Sequence, residues 1–372
     1  MSLNTLKPSA SMEIARIAAE MSKSGLPVSS LSIGDTHFPP PFNIYEKIKN
    51  ISSSYSHYTV GQGIVELREE ISFYNKKIYN TNEIIITPGL KQGLYYVLQA
   101  LDEKKVCVLE PAWLGYKAIA TMAGKNYLPI NRYTEDWLDQ LKSLDFDILI
   151  ICSPNNPDGK ILSSNEINEL VQISSLKNAW IITDEIYDVY DYREVVAPNP
   201  IKKIHGLDKV IVGNGLSKSH AMTGFRLGYI MARNSALIQK INILHQNIAT
   251  CAPAISQYLS FGFSDYKKCI TQFSDYYKDN RDRVMELLPL SIPFKPDGGF
   301  YYFIDLERYG IKDAGKFCKL LLEKSHIAVI PGDAYGIGFN SYIRLSFSVD
   351  KLILENALPR INTFISEYDE QY

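Results

Sequence analysis

The segment Gly215-Leu216-Ser217-Lys218-Ser219-His220-Ala221-Met222-Thr223-Gly224-Phe225-Arg226 concentrates groups able to do chemistry. It lies between the apolar run KVIVGNG and another short strand, Leu227 to Ala232, so the pattern predicts a strand that delivers Lys218 to a loop at its carboxyl end, where open α/β sheets bind ligands. A lysine buried near other cations loses affinity for its proton, and the freed amine is both nucleophile and base, as Schiff-base chemistry requires. Ser217 and Arg226 add a hydroxyl and a guanidinium whose geometry matches phosphate oxygens. Asp184 closes a second apolar run, AWIITD, and Arg344 stands in YIRLSF, where strand alternation puts it on one face with Tyr342 and Ser346. Taken singly, such residues are more often solvated surface charges. Asp184 alone would fit a strand-end carboxylate facing water or half of a magnesium site, but no second acidic cluster supports a metal.

The elements that must position these groups read as alternating strands and helices. From about residue 64 the chain runs IVELREEISFYNKK (helical), NEIIITP (extended), LKQGLYYVLQALD (helical) and KVCVLEP (extended), followed by the apolar runs DFDILIICSP, AWIITDEIY and KVIVGNG. Near-continuous apolar strands between helices indicate a mostly parallel sheet covered on both faces. Ser163 with Glu166 predicts a helix start in front of INELVQIS. The expected fold class is therefore α/β, with residues 44–280 as a large domain. A smaller α+β domain would comprise 281–372, with FYYFIDL, AGKFCKLLLEK, IAVIPG and YIRLSFSV, joined by an N-terminal arm over 1–43.

Composition narrows the partners. A chain of 372 residues that is 46% hydrophobic supports one large core and a smaller one. The formal net charge of -2 leaves no field favouring nucleic acid or an anionic membrane. The five cysteines, 107, 152, 251, 269 and 318, include no C-x-x-C pair and no metal spacing, and they read as reduced thiols of a cytoplasmic protein. The opening residues have an amphipathic helical rhythm and lack the apolar core of a signal peptide.

Ser217-Lys218 with Met222-Thr223-Gly224-Phe225-Arg226 resembles the pyridoxal 5'-phosphate (PLP) lysine motif of the class I and II aminotransferases, the aspartate aminotransferase-like family of PLP fold type I. That resemblance implies a large-domain sheet of the seven-stranded type, with Lys218 holding PLP. It further implies that Gly89, Leu90 and Lys91, in TPGLK, receive the phosphate at a helix N-terminus, that Trp113 in EPAWLGY stacks on the cofactor ring, and that Asn156 in SPNNPDG bonds the cofactor's phenolic oxygen. In TDEIY, Asp184 would pair with the ring nitrogen and Tyr187 with the phenolic oxygen. Arg344 resembles the arginine that grips the substrate carboxylate, Gly34 the glycine beside it, and Tyr58 a tyrosine that reaches a neighbouring subunit's phosphate, which implies a homodimer. Asp158 stands where many members have threonine, a departure expected to be minor, and Gly215 where many have a phosphate-binding serine. Phosphate binding would then rest on Ser217, Arg226, Gly89 to Lys91 and Tyr58.

The matches keep the family's order from Gly34 to Arg344. The implied activity is a ping-pong transfer of an amino group between an L-amino acid and a 2-oxo acid, with the freed Lys218 amine moving the proton. A PLP-dependent lyase or decarboxylase is the alternative on the same constellation. A non-catalytic PLP-binding sensor would need a basic winged-helix module, for which the 43 residues of the arm are too few, and a scaffold role would leave the Lys, Asp and Arg set without purpose. The amino acid stays open: around Ser9 to Met12, Asp35 to Phe38 and Asp297 to Tyr301 the family lines its side-chain pocket. Asp297, Asp35 and His37 would favour a basic substrate, and Lys91 a dicarboxylate.

Overall fold

The computed structural model of the protein describes residues 10–50, 53–194, 198–288 and 295–368; Ser9 lies outside them. Its strands are β1 (Ser29–Ser30), β2 (Ile84–Thr87), β3 (Lys105–Glu110), β4 (Asn126–Asn131), β5 (Ile148–Cys152), β6 (Trp180–Asp184), β7 (Val210–Gly215), β8 (Gly228–Ala232), β9 (Tyr301–Asp305), β10 (Ile327–Ala328), β11 (Ile330–Pro331) and β12 (Tyr342–Ser346). The large sheet has seven strands in the order β2-β8-β7-β6-β5-β3-β4. Strands β4, β3, β5, β6 and β7 pair in parallel, and β8 runs antiparallel to both β7 and β2.

The apolar runs explain why this sheet is central. Along β5 and β6 successive residues alternate between two cores: Leu149, Ile151 and Ile181 point into one, Ile148, Ile150 and Ile182 into the other. Helices Val65–Tyr74 and Ser164–Leu176 cover the first face, and Leu90–Ala100, Gly115–Met122 and Ser235–Ala249 the second. A strand buried on both faces needs no polar alternation, and none is present. The capping box at Ser163 forms as read: Glu166 N donates to Ser163 Oγ at 3.2 Å and Ser163 N donates to Glu166 Oε2 at 2.8 Å.

One strand is absent from the sequence reading. β4, NYLPIN, is a sheet edge with a proline at Pro129 and mostly partial burial, so neither an apolar run nor clean alternation betrays it. The apolar arm segment gives only two strand residues, Ser29–Ser30, and the run IAVIPG is divided between β10 and β11, which belong to different sheets. β1 pairs in parallel with β10, tying the arm to the C-terminal part of the chain, whose other sheet is the antiparallel β11-β12-β9. That part has its own core, including Tyr302, Phe317, Phe347 and Leu358. Helix Lys267–Leu287 runs through residue 280 without a break. Among the described residues no helix is long and apolar enough to cross a membrane.

Candidate active site

The chain directions bring the chemistry to one edge. Strands β2, β3, β5, β6 and β7 all end there, and β8 begins there, because Gly228 pairs with both Thr87 and Gly215. At or just past these strand ends stand Gly89, with Leu90 and Lys91 opening helix Leu90–Ala100, then Trp113, Asn156, and Asp184 to Tyr187 at the end of β6. Ser217 and Lys218 lie in the short helix Leu216–Ser219 and not in the loop expected from sequence, and Arg226 sits just before β8. Between them and the antiparallel sheet lies a cavity of about 260 Å³, lined by Gly34, Leu90, Lys91, Trp113, Asn156, Asp184, Tyr187, Ser217, Lys218, Arg226 and Arg344 among others. Its mouth is the crevice outside the carboxyl ends of the strands, where such sheets bind ligands.

Inside it, Lys218 Nζ donates to the carbonyl of Gly34 at 2.5 Å. Loss of hydration lowers the Lys218 pKa to about 8. Asp35 opposes the shift, and the positive charges of Arg344 and Arg226 reinforce it. The Asp184 carboxyl is 4% exposed and moves the other way, up to about 6: burial raises it, while hydrogen bonds from Tyr116 Oη (2.7 Å) and Ile186 N (3.2 Å) hold it down. The adjacent Glu185 shows what a paired buried carboxylate does instead. Burial would raise it, yet Lys202 and His205 hold it at about 2. Among the described residues Asp184 has no such cation.

Arg344 is 3% exposed and donates through Nη1 to Asn156 Oδ1 (3.2 Å) and through Nη2 to the carbonyl of Ser32. Its buried Nε has no hydrogen-bond partner among the described residues, so part of the guanidinium fork is left for a ligand. The Lys91 ammonium lies 5.3 Å from the centre of the Trp113 ring, and burial and the charge of Arg226 lower its pKa. The Arg226 guanidinium fills the space a β-carbon on Gly89 would need, 2.5 Å from it, at the N-terminus of helix Leu90–Ala100. Backbone N–H groups, a helix dipole and a guanidinium thus converge at one point, a donor set suited to phosphate.

Two departures noted in the sequence have structural content. A β-carbon on Gly215 would lie 2.8 Å from the Leu227 carbonyl oxygen and 2.9 Å from the Gly228 Cα, so the backbone of β8 leaves no room for a serine. Asp158 is not a bystander: it is 1% exposed, forms an ion pair with Arg132, and accepts from Tyr133 Oη (2.9 Å) and Asn155 Nδ2 (2.9 Å). It braces the turn that carries Asn156.

Tyr58 does not line the cavity. It is 83% exposed, beside a surface recess formed with Pro88, Gln92 and Cys251. Asp297 accepts from Ile161 N at 3.2 Å and lies outside the cavity lining, as do Asp35 and His37, whereas Met12 and Tyr301 line it. The sequence reading assigned no part to Tyr116, which holds Asp184, or to Cys152, Leu94 and Thr223; Tyr116 closes the EPAWLGY segment as an unremarkable helical aromatic. Among the described residues no group of three or more His, Cys, Asp or Glu side chains converges to hold a metal ion.

A lysine amine pushed toward its neutral form, a buried carboxyl raised by burial and a donor set suited to phosphate, on a seven-stranded α/β sheet, fit a transferase of PLP fold type I. The family model for aminotransferase class I and II matches residues 27–361, and the chain belongs to that family, which is PLP-dependent. An aspartate aminotransferase of Pyrococcus horikoshii is 31% identical over 355 residues, 90% of each chain. A (5-formylfuran-3-yl)methyl phosphate transaminase of Methanocaldococcus jannaschii is 30% identical over 368 residues, 96% of each. The fold matches that of aspartate aminotransferase from Thermotoga maritima with a TM-score of 0.85 at 27% identity, over 99% of this chain and 100% of that one. Thermus thermophilus aspartate aminotransferase with maleate gives 0.88 over 98% and 99% at 24% identity, a likeness of fold. The protein is an aminotransferase, moving an amino group between an L-amino acid and a 2-oxo acid.

Proposed function

We propose that this chain binds PLP through Lys218 and runs the transfer as a ping-pong cycle. The observation that carries the reading is that one cavity holds a lysine amine pushed toward its neutral form, a buried carboxyl without a cation, and an arginine with an open Nε. Gly89, Leu90 and Lys91 with Ser217 and Arg226 would hold the phosphate, Trp113 would face the ring, and Asp184 would hold the ring nitrogen's proton. Asn156 and Tyr187 would serve the phenolic oxygen. PLP supplies an electron sink for the pair of electrons left when the substrate's Cα–H bond breaks. The Lys218 amine would move that proton. Tyr116 fixes the orientation of Asp184, and Arg344 orients the substrate through its carboxylate.

A dicarboxylic amino acid is the donor we propose, on two grounds. Several relatives are aspartate aminotransferases, and Lys91 is a cation lining the cavity while Asp297 points elsewhere. We place the domain division within helix Lys267–Leu287, whose Tyr277 and Val284 already belong to the smaller core, and set the enzyme in the reducing cytoplasm, where five free cysteines are stable.

The test is the visible spectrum of the purified protein, with aspartate, glutamate and a panel of other amino acids added in turn. A lysine-dependent band that an amino acid bleaches and a 2-oxo acid restores is expected. Lys218→Ala should lose both band and turnover, and normal turnover in that variant would sink the assignment.

A further inference from the structure

The sequence motifs account for Tyr187 and Arg344 separately, whereas the structure joins them through a third side chain. On β9, Tyr301 stands opposite Ser346 and Phe303 opposite Arg344, which makes Tyr301 and Arg344 diagonal neighbours on one face of the sheet. The guanidinium carbon of Arg344 lies 4.2 Å from the centre of the Tyr301 ring. The Tyr301 hydroxyl is 2.8 Å from the Tyr187 hydroxyl, and the two rings meet edge to face at 5.8 Å. The Tyr301 hydroxyl also sits 1.6 Å from where a β-carbon on residue 34 would be. Only a glycine at 34 leaves room for it. Both tyrosines are buried, at 4% and 2% exposure, so the bond between them forms in a medium of low polarity where its direction matters.

We propose that Tyr301 is a positioning residue that couples the two halves of the site: its hydroxyl fixes the Tyr187 hydroxyl, and its ring face fixes the Arg344 guanidinium. The inference rests on the reading above, in which Tyr187 serves the cofactor and Arg344 the substrate. Two phenols that share one hydrogen bond spend one of their two protons on it. The pair therefore holds one oxygen in register and leaves a proton for a further acceptor. The ring adds a second constraint, because a desolvated guanidinium stacked on an aromatic face loses freedom to swing out of the carboxylate's path.

Two substitutions separate the contributions. Y301F keeps the ring and removes the hydroxyl, and Y301M removes both while keeping much of the bulk. In the PLP-loaded enzyme, the pH midpoint of the visible cofactor band should rise in Y301F by on the order of half a pH unit, the size of one weakened neutral hydrogen bond. Its KM for the amino acid should stay within about twofold of the unsubstituted enzyme, since the ring stack remains. Y301M should show the same shift of the band and, in addition, a KM raised about tenfold. A wall residue that merely filled space would move neither the band's titration in Y301F nor the division of effects between the two variants. Normal titration of Y301F beside a normal band in the unsubstituted enzyme overturns the coupling by the hydroxyl, and an unchanged KM in Y301M overturns the bracing of Arg344. If the unsubstituted protein forms no band with added PLP, the cofactor reading itself falls and takes this inference with it.

Discussion

Lys218, half-buried, and Asp184, buried, line the same cavity, and each is pushed toward its uncharged form, to about 8 and about 6 respectively. For Lys218 the ammonium dominates below about 8 and the neutral amine, the nucleophile, above it. The rate at which the cofactor-free protein captures PLP should therefore climb as pH rises toward 8 and level off beyond. A rate still climbing tenfold per pH unit at 10, measured from the growth of the visible band, would show an ordinary lysine. Arg344 makes a different kind of contribution: its Nε has no hydrogen-bond partner among the described residues, and each Nη, already donating once, keeps a second N–H for the carboxylate we propose it binds. Arg344→Ala should raise KM roughly 10- to 100-fold, the range of a charged hydrogen bond, and a KM within twofold in steady-state kinetics would move the carboxylate to another group. At Gly215 a side chain is sterically barred by the backbone at Leu227 and Gly228, so the phosphate binding we propose would rest on Ser217, Arg226 and the start of helix Leu90–Ala100.

At the scale of elements, the turn between β5 and helix Ser164–Leu176 owes its shape to a buried ion pair. The Arg132 and Asp158 side chains are 5% and 0% exposed, and removing one partner strands the other's charge. Asp158→Ala should lower stability by about 3 kcal/mol or more, read from the urea midpoint, and should also weaken the function of Asn156 on the same turn. A loss below about 1 kcal/mol would mean that Arg132 finds water instead. A threonine at 158 would have no charge to offer Arg132, so the acid there and the arginine at 132 act as a pair in this chain. Ser163 and β4 show the two limits of local reading: a capping box is written in consecutive residues, whereas an edge strand is made by its neighbour.

For the whole molecule, the exposed Tyr58 is not among the residues lining its own chain's cavity, and we propose that it completes the site of a second copy. Hybrid dimers test it. A chain carrying Lys218→Ala paired with one carrying Tyr58→Ala holds one site with both native residues if the tyrosine crosses over, and none if it does not. Co-expressed hybrids should then recover activity at limiting PLP to roughly half that of the unsubstituted dimer per dimer, while either variant alone stays low. No recovery would confine Tyr58 to its own subunit's surface.

Sequence alone determined the α/β class and six of the seven strands of the large sheet, and it singled out Lys218, Asp184, Asn156, Tyr187, Arg226 and Arg344, which the folded chain brings to one cavity, because apolar runs and motif order are properties of neighbouring residues. Tertiary structure decided what those residues face. Tyr301 reaches Tyr187 across 114 positions and Tyr116 reaches Asp184 across 68, distances along the chain at which no periodicity carries information. The depth of the pKa shifts, the bar to a side chain at 215 and the open Nε of Arg344 likewise follow from burial and packing, which depend on what the folded chain excludes from each group and not on the group's own neighbours in sequence.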